Sequence, residues 1–256
     1  MKLARKNISL HTIAQRIKTH LKLMANIFTS SIGKKLIMSI SGLFLIVFLL
    51  LHMTINLFSV IDSINGKFGA SDGLFAAGCE FMATPIVTVM VPVLVFGFVI
   101  HIAYGCYLTW CNIQTRGGYK RYEVASKAKT ESWASKNMLA LGIIVLGFIV
   151  FHLNHFWADM QLAEFKGESI DPEYPYELLK VTFGHWWMVL LYIIWFGAIW
   201  FHLTHGFWSA FQSMGLSNNV WTKRLNVAGY IFATLIFLGF TIVAINSYLE
   251  AHAAMI

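Results

Sequence analysis

Charge is scarce in this chain. Only 12% of its 256 residues are Asp, Glu, Lys or Arg, about half the share of an ordinary soluble domain. With 57% of the residues hydrophobic, so apolar a chain needs lipid rather than water as its outer solvent. Cysteine is also sparse: Cys79, Cys106 and Cys111 are too few and too scattered for a disulfide framework. No cleavable signal peptide is expected, because the first apolar stretch begins only after Lys35, exceeds the length of a signal core and lacks a small-residue cleavage site. The net charge of +7 is concentrated in a few segments, so it does not read as a nucleic-acid footprint.

What is present is a series of long apolar runs. A bilayer core of roughly 30 Å needs about 20 mostly apolar helical residues. Five stretches qualify, at residues 36–61, 84–112, 138–160, 183–213 and 226–249. They predict an all-α integral membrane bundle of five transmembrane helices filling residues 36–249, preceded by a basic segment at residues 1–35. Within that segment Ile13, Ile17, Leu21, Met24 and Phe28 recur at helical spacing, with Arg16, Lys18 and Lys22 between them. The pattern suits a short amphipathic helix on the inner membrane surface, or a soluble docking helix.

The basic residues predict orientation. The N-terminal segment, the loop after the second run and the loop after the fourth hold sixteen lysines and arginines, against three (Lys67, Lys166 and Lys180) on the other side. The N-terminus is therefore expected in the cytoplasm and the C-terminus outside. Asp159, Glu164, Glu168, Asp171, Glu173 and Glu177 gather in or beside one outer loop. Trp157, Trp186 and Trp187 fit an aromatic belt at the outer boundary, and Trp110, Trp133, Trp208 and Trp221 one at the inner boundary.

No Asp, Glu, Lys or Arg occupies the middle of any run, yet histidines do. An ionisable group at that depth is a functional hypothesis by default. At about 1.5 Å per residue, His52 and His152 each lie toward the outer face, counted along the first and third runs from the inner side. His101 and His202, counted along the second and fourth runs from outside, reach a common level toward the cytoplasm. The four resolve into two pairs, each from two helices running the same way. Such pairs suit bis-histidine ligation of two haems stacked across the bilayer. Without a C-x-x-C-H run, each haem would be b-type and held non-covalently. Gly42, Gly97, Gly105, Gly142, Gly147, Gly197 and Gly206 lie on the same four runs and would give a macrocycle clearance. A single intramembrane histidine also serves as a packing residue. Four of them, matched in depth two by two, are not accounted for that way.

His155 and His205 follow three residues after His152 and His202, one turn nearer the surface. Each would replace its neighbour as ligand, hydrogen-bond a haem propionate, or simply meet interfacial water. His185, at the outer start of the fourth run, is open to the same roles, and His11, His20 and His252 read as surface residues. A transporter using histidines as proton relays or metal ligands is the alternative from a different class. Within the redox class, the alternative is the dihaem cytochrome b subunit of a hydrogenase or formate dehydrogenase.

The motifs in order are Leu51-His52-Met53-Thr54-Ile55-Asn56, His101-Ile102-Ala103-Tyr104-Gly105-Cys106-Tyr107, Phe151-His152-Leu153 and Phe201-His202-Leu203-Thr204-His205-Gly206-Phe207-Trp208-Ser209. In order, spacing and helix assignment the chain resembles, over residues 33–249, the dihaem cytochrome b anchor of type B succinate dehydrogenases and fumarate reductases. The resemblance implies one haem ligand on each of the first four spans, and favours His152 and His202 over their neighbours. It implies an iron–sulfur subunit and a flavoprotein on the cytoplasmic side, menaquinone as the membrane substrate and a bacterial inner membrane as the location, and it allows a dimer of such heterotrimers. Dicarboxylate chemistry would belong to a partner. Glu80, before Pro85, stands where members often carry an acidic or polar quinone-site residue. One position departs: where some members carry a Glu linked with proton movement, two residues before the fourth ligand, this chain has Trp200. The resemblance does not extend to that coupling.

Overall fold

A computed structural model describes residues 12–13, 15–19, 30–115, 117–118, 132–168, 170–216 and 218–253. Nine helices are labelled here: α1 (Ser31–Ile64), α2 (Leu74–Met82), α3 (Pro85–Thr115), α4 (Trp133–Lys136), α5 (Met138–His152), α6 (Gln161–Phe165), α7 (Tyr174–Phe183), α8 (Trp186–Ser213) and α9 (Trp221–His252). A π-helical turn, Leu153–Trp157, continues α5. The described residues form helices and connecting turns with no strand, and five helices are long and apolar enough to cross a membrane. The chain is an all-α, multi-pass membrane protein.

The spans differ from the apolar runs at their ends, for local reasons. The first begins five residues before the predicted boundary because the Ser30 hydroxyl accepts a hydrogen bond from Gly33 N at 3.0 Å, capping the helix ahead of the lipid-soluble part. The fourth begins at Trp186: Phe183 ends α7, and His185 adopts extended backbone (φ −108°, ψ 127°) between the two helices. The fifth starts at Trp221, where the Asn218 side chain accepts from Val220 N and Trp221 N at 3.0 and 2.8 Å. Pro92 lies inside α3, a position that membrane helices tolerate when the freed backbone groups find other partners.

Packing around the bundle follows a ring. α3 lies against α1, α1 against α8, α8 against α5, and α5 meets α3 lightly, while α9 seals the outer edge of the α1–α8 pair. α1 and α5 are thus diagonal across the ring, and so are α3 and α8. The dense apolar core runs along α1, α8 and α9, through Met53, Phe196, Ala233, Ile236, Phe240 and Ala244. By contrast α3 buries only Gly97, and α5 buries Leu141 and Phe148. The two lightly packed spans therefore leave the ring open on their side.

α2 and α7 cross one end of the bundle, and neither was legible as an apolar run. The first turn of α2 is capped by side chains from elsewhere: Asp62 accepts from Leu74 N at 2.9 Å and Phe75 N at 2.7 Å. Tyr176 of α7 donates to the same carboxylate at 2.7 Å, and its hydroxyl accepts from Ala76 N at 3.3 Å. Asp62 and Tyr176 are fully buried. Ser63 at the end of α1 also donates to Glu250 of α9, tying the first and last spans together.

Of the N-terminal amphipathic pattern, residues 12–13 and 15–19 are helical, with Ile13 and Ile17 exposed. Leu21, Lys22, Met24 and Phe28 lie outside the described residues, as do Glu164's side chain, His11, His20 and most of the loop between α3 and α4. Trp110, Trp133, Trp186, Trp187 and Trp221 are exposed, as belt residues are. Trp208 is not: it is only 7% exposed and packs edge-on against His205, with ring centroids 5.3 Å apart.

Candidate functional site

Two pairs of histidines meet across the two diagonals of the ring. His52 of α1 faces His152 of α5 with ring centroids 5.7 Å apart. His101 of α3 faces His202 of α8 with centroids 6.3 Å apart. An imidazole on each side of one metal sets ring centres about 6 Å apart, counting two metal–nitrogen bonds of about 2 Å and about 1 Å from each nitrogen to its ring centre. Both pairs are spaced accordingly.

Separation along the membrane normal follows from contacts with α1. His101 Nδ1 lies 3.2 Å from the Ser41 hydroxyl, which puts the second pair level with Ser41. His52 stands eleven residues farther along the same helix, about 16 Å at the helical rise. The pairs thus occupy two depths in one bundle.

The His52–His152 pair has an apolar surround. Phe48 stacks on His52 at 5.5 Å and Phe240 of α9 lies 5.7 Å away. Phe148 and Phe156 flank His152 at 5.5 and 5.0 Å. The Nδ1 atoms of His152, His202 and His205 are buried with no hydrogen-bond partner among the described residues. Buried polar groups are ordinarily satisfied, and no described residue satisfies these three nitrogens.

The glycines divide. A Cβ on Gly42 would approach His101 Cε1 to 3.1 Å, one on Gly97 would strike the Phe44 ring, and one on Gly105 would touch Met38 at 3.4 Å. These permit α1 and α3 to approach. Gly142, Gly147, Gly197 and Gly206 face open space, with nothing within 4 Å of a Cβ, on α5 and α8. These four positions leave room beside α5 and α8 among the described residues. The paired imidazoles and the open space at these glycines fit a planar macrocycle bound between helices.

The two extra histidines have different settings. His155 sits in the π-helical turn, closed by the Ala158 N to Leu153 O bond at 2.9 Å, a feature found mostly at functional sites. Its Nδ1 lies 3.2 Å from the hydroxyl of Tyr192, a residue 1% exposed on α8. His205 packs on Trp208, and its Nδ1 has no partner among the described residues. His185 stacks on Trp187 at 5.8 Å, and His252 Nδ1 bonds the Tyr248 carbonyl at 2.8 Å.

Glu80 is exposed on α2, not at the head of the second span. The same helix borders an apolar cleft of about 350 Å³ against α1, lined by Leu51, Ile55, Phe58, Ala77, Gly78 and Phe81 among others. Burial pushes the Cys79 thiol on this helix up to about 12. Trp200 donates from Nε1 to Thr234 of α9 at 3.0 Å, so the position that departs from the family pattern fastens α8 to the fifth span. Ser41 and Tyr192 had no signal in the sequence, since hydroxyls in membrane helices commonly serve ordinary packing. No group of three or more His, Cys, Asp or Glu converges among the described residues. No protein-family model, curated protein or solved structure matches the chain.

Proposed function

We propose that this chain is a dihaem cytochrome b that carries electrons between two depths of a bacterial inner membrane. The observation that carries the reading is the pair of diagonal histidine couples, at 5.7 and 6.3 Å between ring centres. His52 and His152 would hold one haem iron, and His101 and His202 the other. When bound, the haems supply one-electron carriers at two levels. The residues of the chain orient the ligand imidazoles, exclude water through the Phe48–Phe148–Phe240 surround and leave clearance along α5 and α8. A two-imidazole site leaves the remaining coordination positions of a metal to a cofactor, which favours this reading over a transporter whose metal is held by protein groups alone.

The order and spacing of the histidine motifs, resembling type B succinate dehydrogenase and fumarate reductase anchors, support assigning the electron exchange to an iron–sulfur subunit on one side and menaquinone on the other. The charge bias supports a cytoplasmic N-terminus and basic docking face. In this reading succinate or fumarate reacts on the flavoprotein partner.

The test is a pyridine haemochrome assay on the purified chain, made with haem supplied. About two haems b per chain are expected for two bis-histidine sites. A value near zero in folded protein overturns the reading and brings the transporter forward. Partner identity is tested by co-purification with a flavoprotein that oxidises succinate. Glu80 enters as the proton-exchanging group for the quinone. Glu80→Gln is expected to lower quinol turnover about tenfold or more while both haem spectra stay unchanged; unchanged turnover removes Glu80 from the site.

A further inference from the structure

Haem sites are tuned by what their ligands touch as much as by the ligands themselves. The two couples differ in this respect. His152 and His202 have buried Nδ1 atoms without partners among the described residues, whereas His101 Nδ1 meets the Ser41 hydroxyl at 3.2 Å. Ser41 is 7% exposed and its hydroxyl donates to the Met38 carbonyl at 3.0 Å. A hydroxyl has one hydrogen. With that hydrogen given to Met38, the Ser41 oxygen is free to accept from His101, an arrangement that would keep the proton on Nδ1 and leave the Nε2 lone pair free. The adjacent Gly42 lets the ring lie there, since a Cβ would come within 3.1 Å of His101 Cε1 and 3.5 Å of Nδ1.

We infer that Ser41 and Gly42 form a seat on α1 that sets the tautomer and orientation of the His101 imidazole, making them positioning residues for the haem nearer the basic face. The inference rests on the dihaem reading above. The seat comes from a helix that itself ligates the other haem, so α1 serves both sites: His52 as ligand at one depth, Ser41–Gly42 as support at the other. A hydrogen bond accepted from Nδ1–H makes the imidazole a stronger donor toward iron and favours the oxidised state. No described residue gives His202 an equivalent bond, so the support is one-sided.

The experiment is a potentiometric titration of the haem-loaded full chain, followed optically and by electron paramagnetic resonance, in wild type, Ser41→Ala, Ser41→Thr and Gly42→Ala. In Ser41→Ala both haems are retained, and one of the two midpoints rises. The expected change in its reduced-to-oxidised ratio at fixed potential is about tenfold, equal to about 59 mV for one electron. Ser41→Thr restores the wild-type value. Gly42→Ala, which pushes on the ring without removing the hydroxyl, alters the low-field resonance of that same haem alone. Repeating Ser41→Ala in the His52→Ala background, where only the His101–His202 haem remains, assigns the shift. Two haems with unmoved midpoints and resonances in Ser41→Ala and Gly42→Ala overturn the seat. So does a shift confined to the other haem, or a Thr variant that behaves as Ala does. Wild-type chain without haem overturns the dihaem reading itself, a result distinct from any of these.

Discussion

Replacing His152 with alanine is expected to take the chain from about two haems to about one, and His52→Ala is expected to do the same. The reason is geometric. Each couple spans a diagonal of the ring, so a single substitution would remove one of the two imidazoles that would hold the haem there. The other couple lies about 16 Å away along α1 and comes from the other two helices. It should keep its haem and its spectrum. Combining His52→Ala with His152→Ala should cost nothing further in haem content, because both substitutions empty one site; strong non-additivity is the signature of groups acting as a unit. Combining His152→Ala with His202→Ala should instead leave the chain without haem. Haem quantified per polypeptide, with the fraction in six-coordinate low-spin form, checks all four variants. A His152→Ala protein that retains two six-coordinate haems would sink the pairing and point to His155 as the working ligand. The contact between His155 and the Tyr192 hydroxyl, 3.2 Å from Nδ1, argues against that exchange, since the ring is already engaged with α8.

Much of this arrangement was legible in the residues because two simple periodicities govern it. Hydropathy over about 20 residues marks a span, and a rise of about 1.5 Å per residue converts position into depth. Together they set His52 level with His152 and His101 level with His202 from the residues alone. What depth does not encode is rotation about each helix axis, and the inward facing of all four rings comes only from packing. The span ends were less legible for a related reason: a helix stops where its caps are, not where its apolar residues end. Ser30 starts the first span ahead of the lipid, and the extended backbone at His185 delays the fourth. α2 and α7 escaped notice because nine- and ten-residue helices are too short to register as spans. Glu80 accordingly belongs to a surface helix of its own. Ser41 was invisible because its importance lies in a contact with a residue sixty positions away. Trp208 differs from the other belt residues in its packing. Its position near a helix end suggested the membrane boundary, but its indole fills space beside His205.

Asp62→Ala is expected to destabilise the protein by about 3 kcal/mol or more, the largest effect anticipated away from the histidines. The carboxylate is 1% exposed, and it accepts hydrogen bonds from Leu74 N, Phe75 N and the Tyr176 hydroxyl. Removing it strands two backbone donors at the start of α2 and one phenol, and each buried unsatisfied group costs about 1–3 kcal/mol. The same cluster explains Gly73: a Cβ there would overlap the Tyr176 hydroxyl and come within 2.9 Å of Asp62. Tyr176→Phe removes only the phenol's bonds and should cost about 1–2 kcal/mol. The pH dependence gives an independent check. Burial, reinforced by the hydrogen bond to Asp62, raises the Tyr176 phenol above its ordinary value of 10.0. Above pH 10 the unfolded phenol therefore loses its proton while the folded one keeps it, so the unfolded state binds fewer protons and stability falls with rising pH. The contribution is whole below about pH 10 and drains away as pH climbs through the raised folded value. Thermal unfolding in detergent between pH 7 and 11, followed by helix signal, should show a steeper alkaline decline in wild type than in Tyr176→Phe. Parallel declines would mean that the phenol is not held protonated by this cluster. An Asp62→Ala protein as stable as wild type would mean that α2 is not anchored through it.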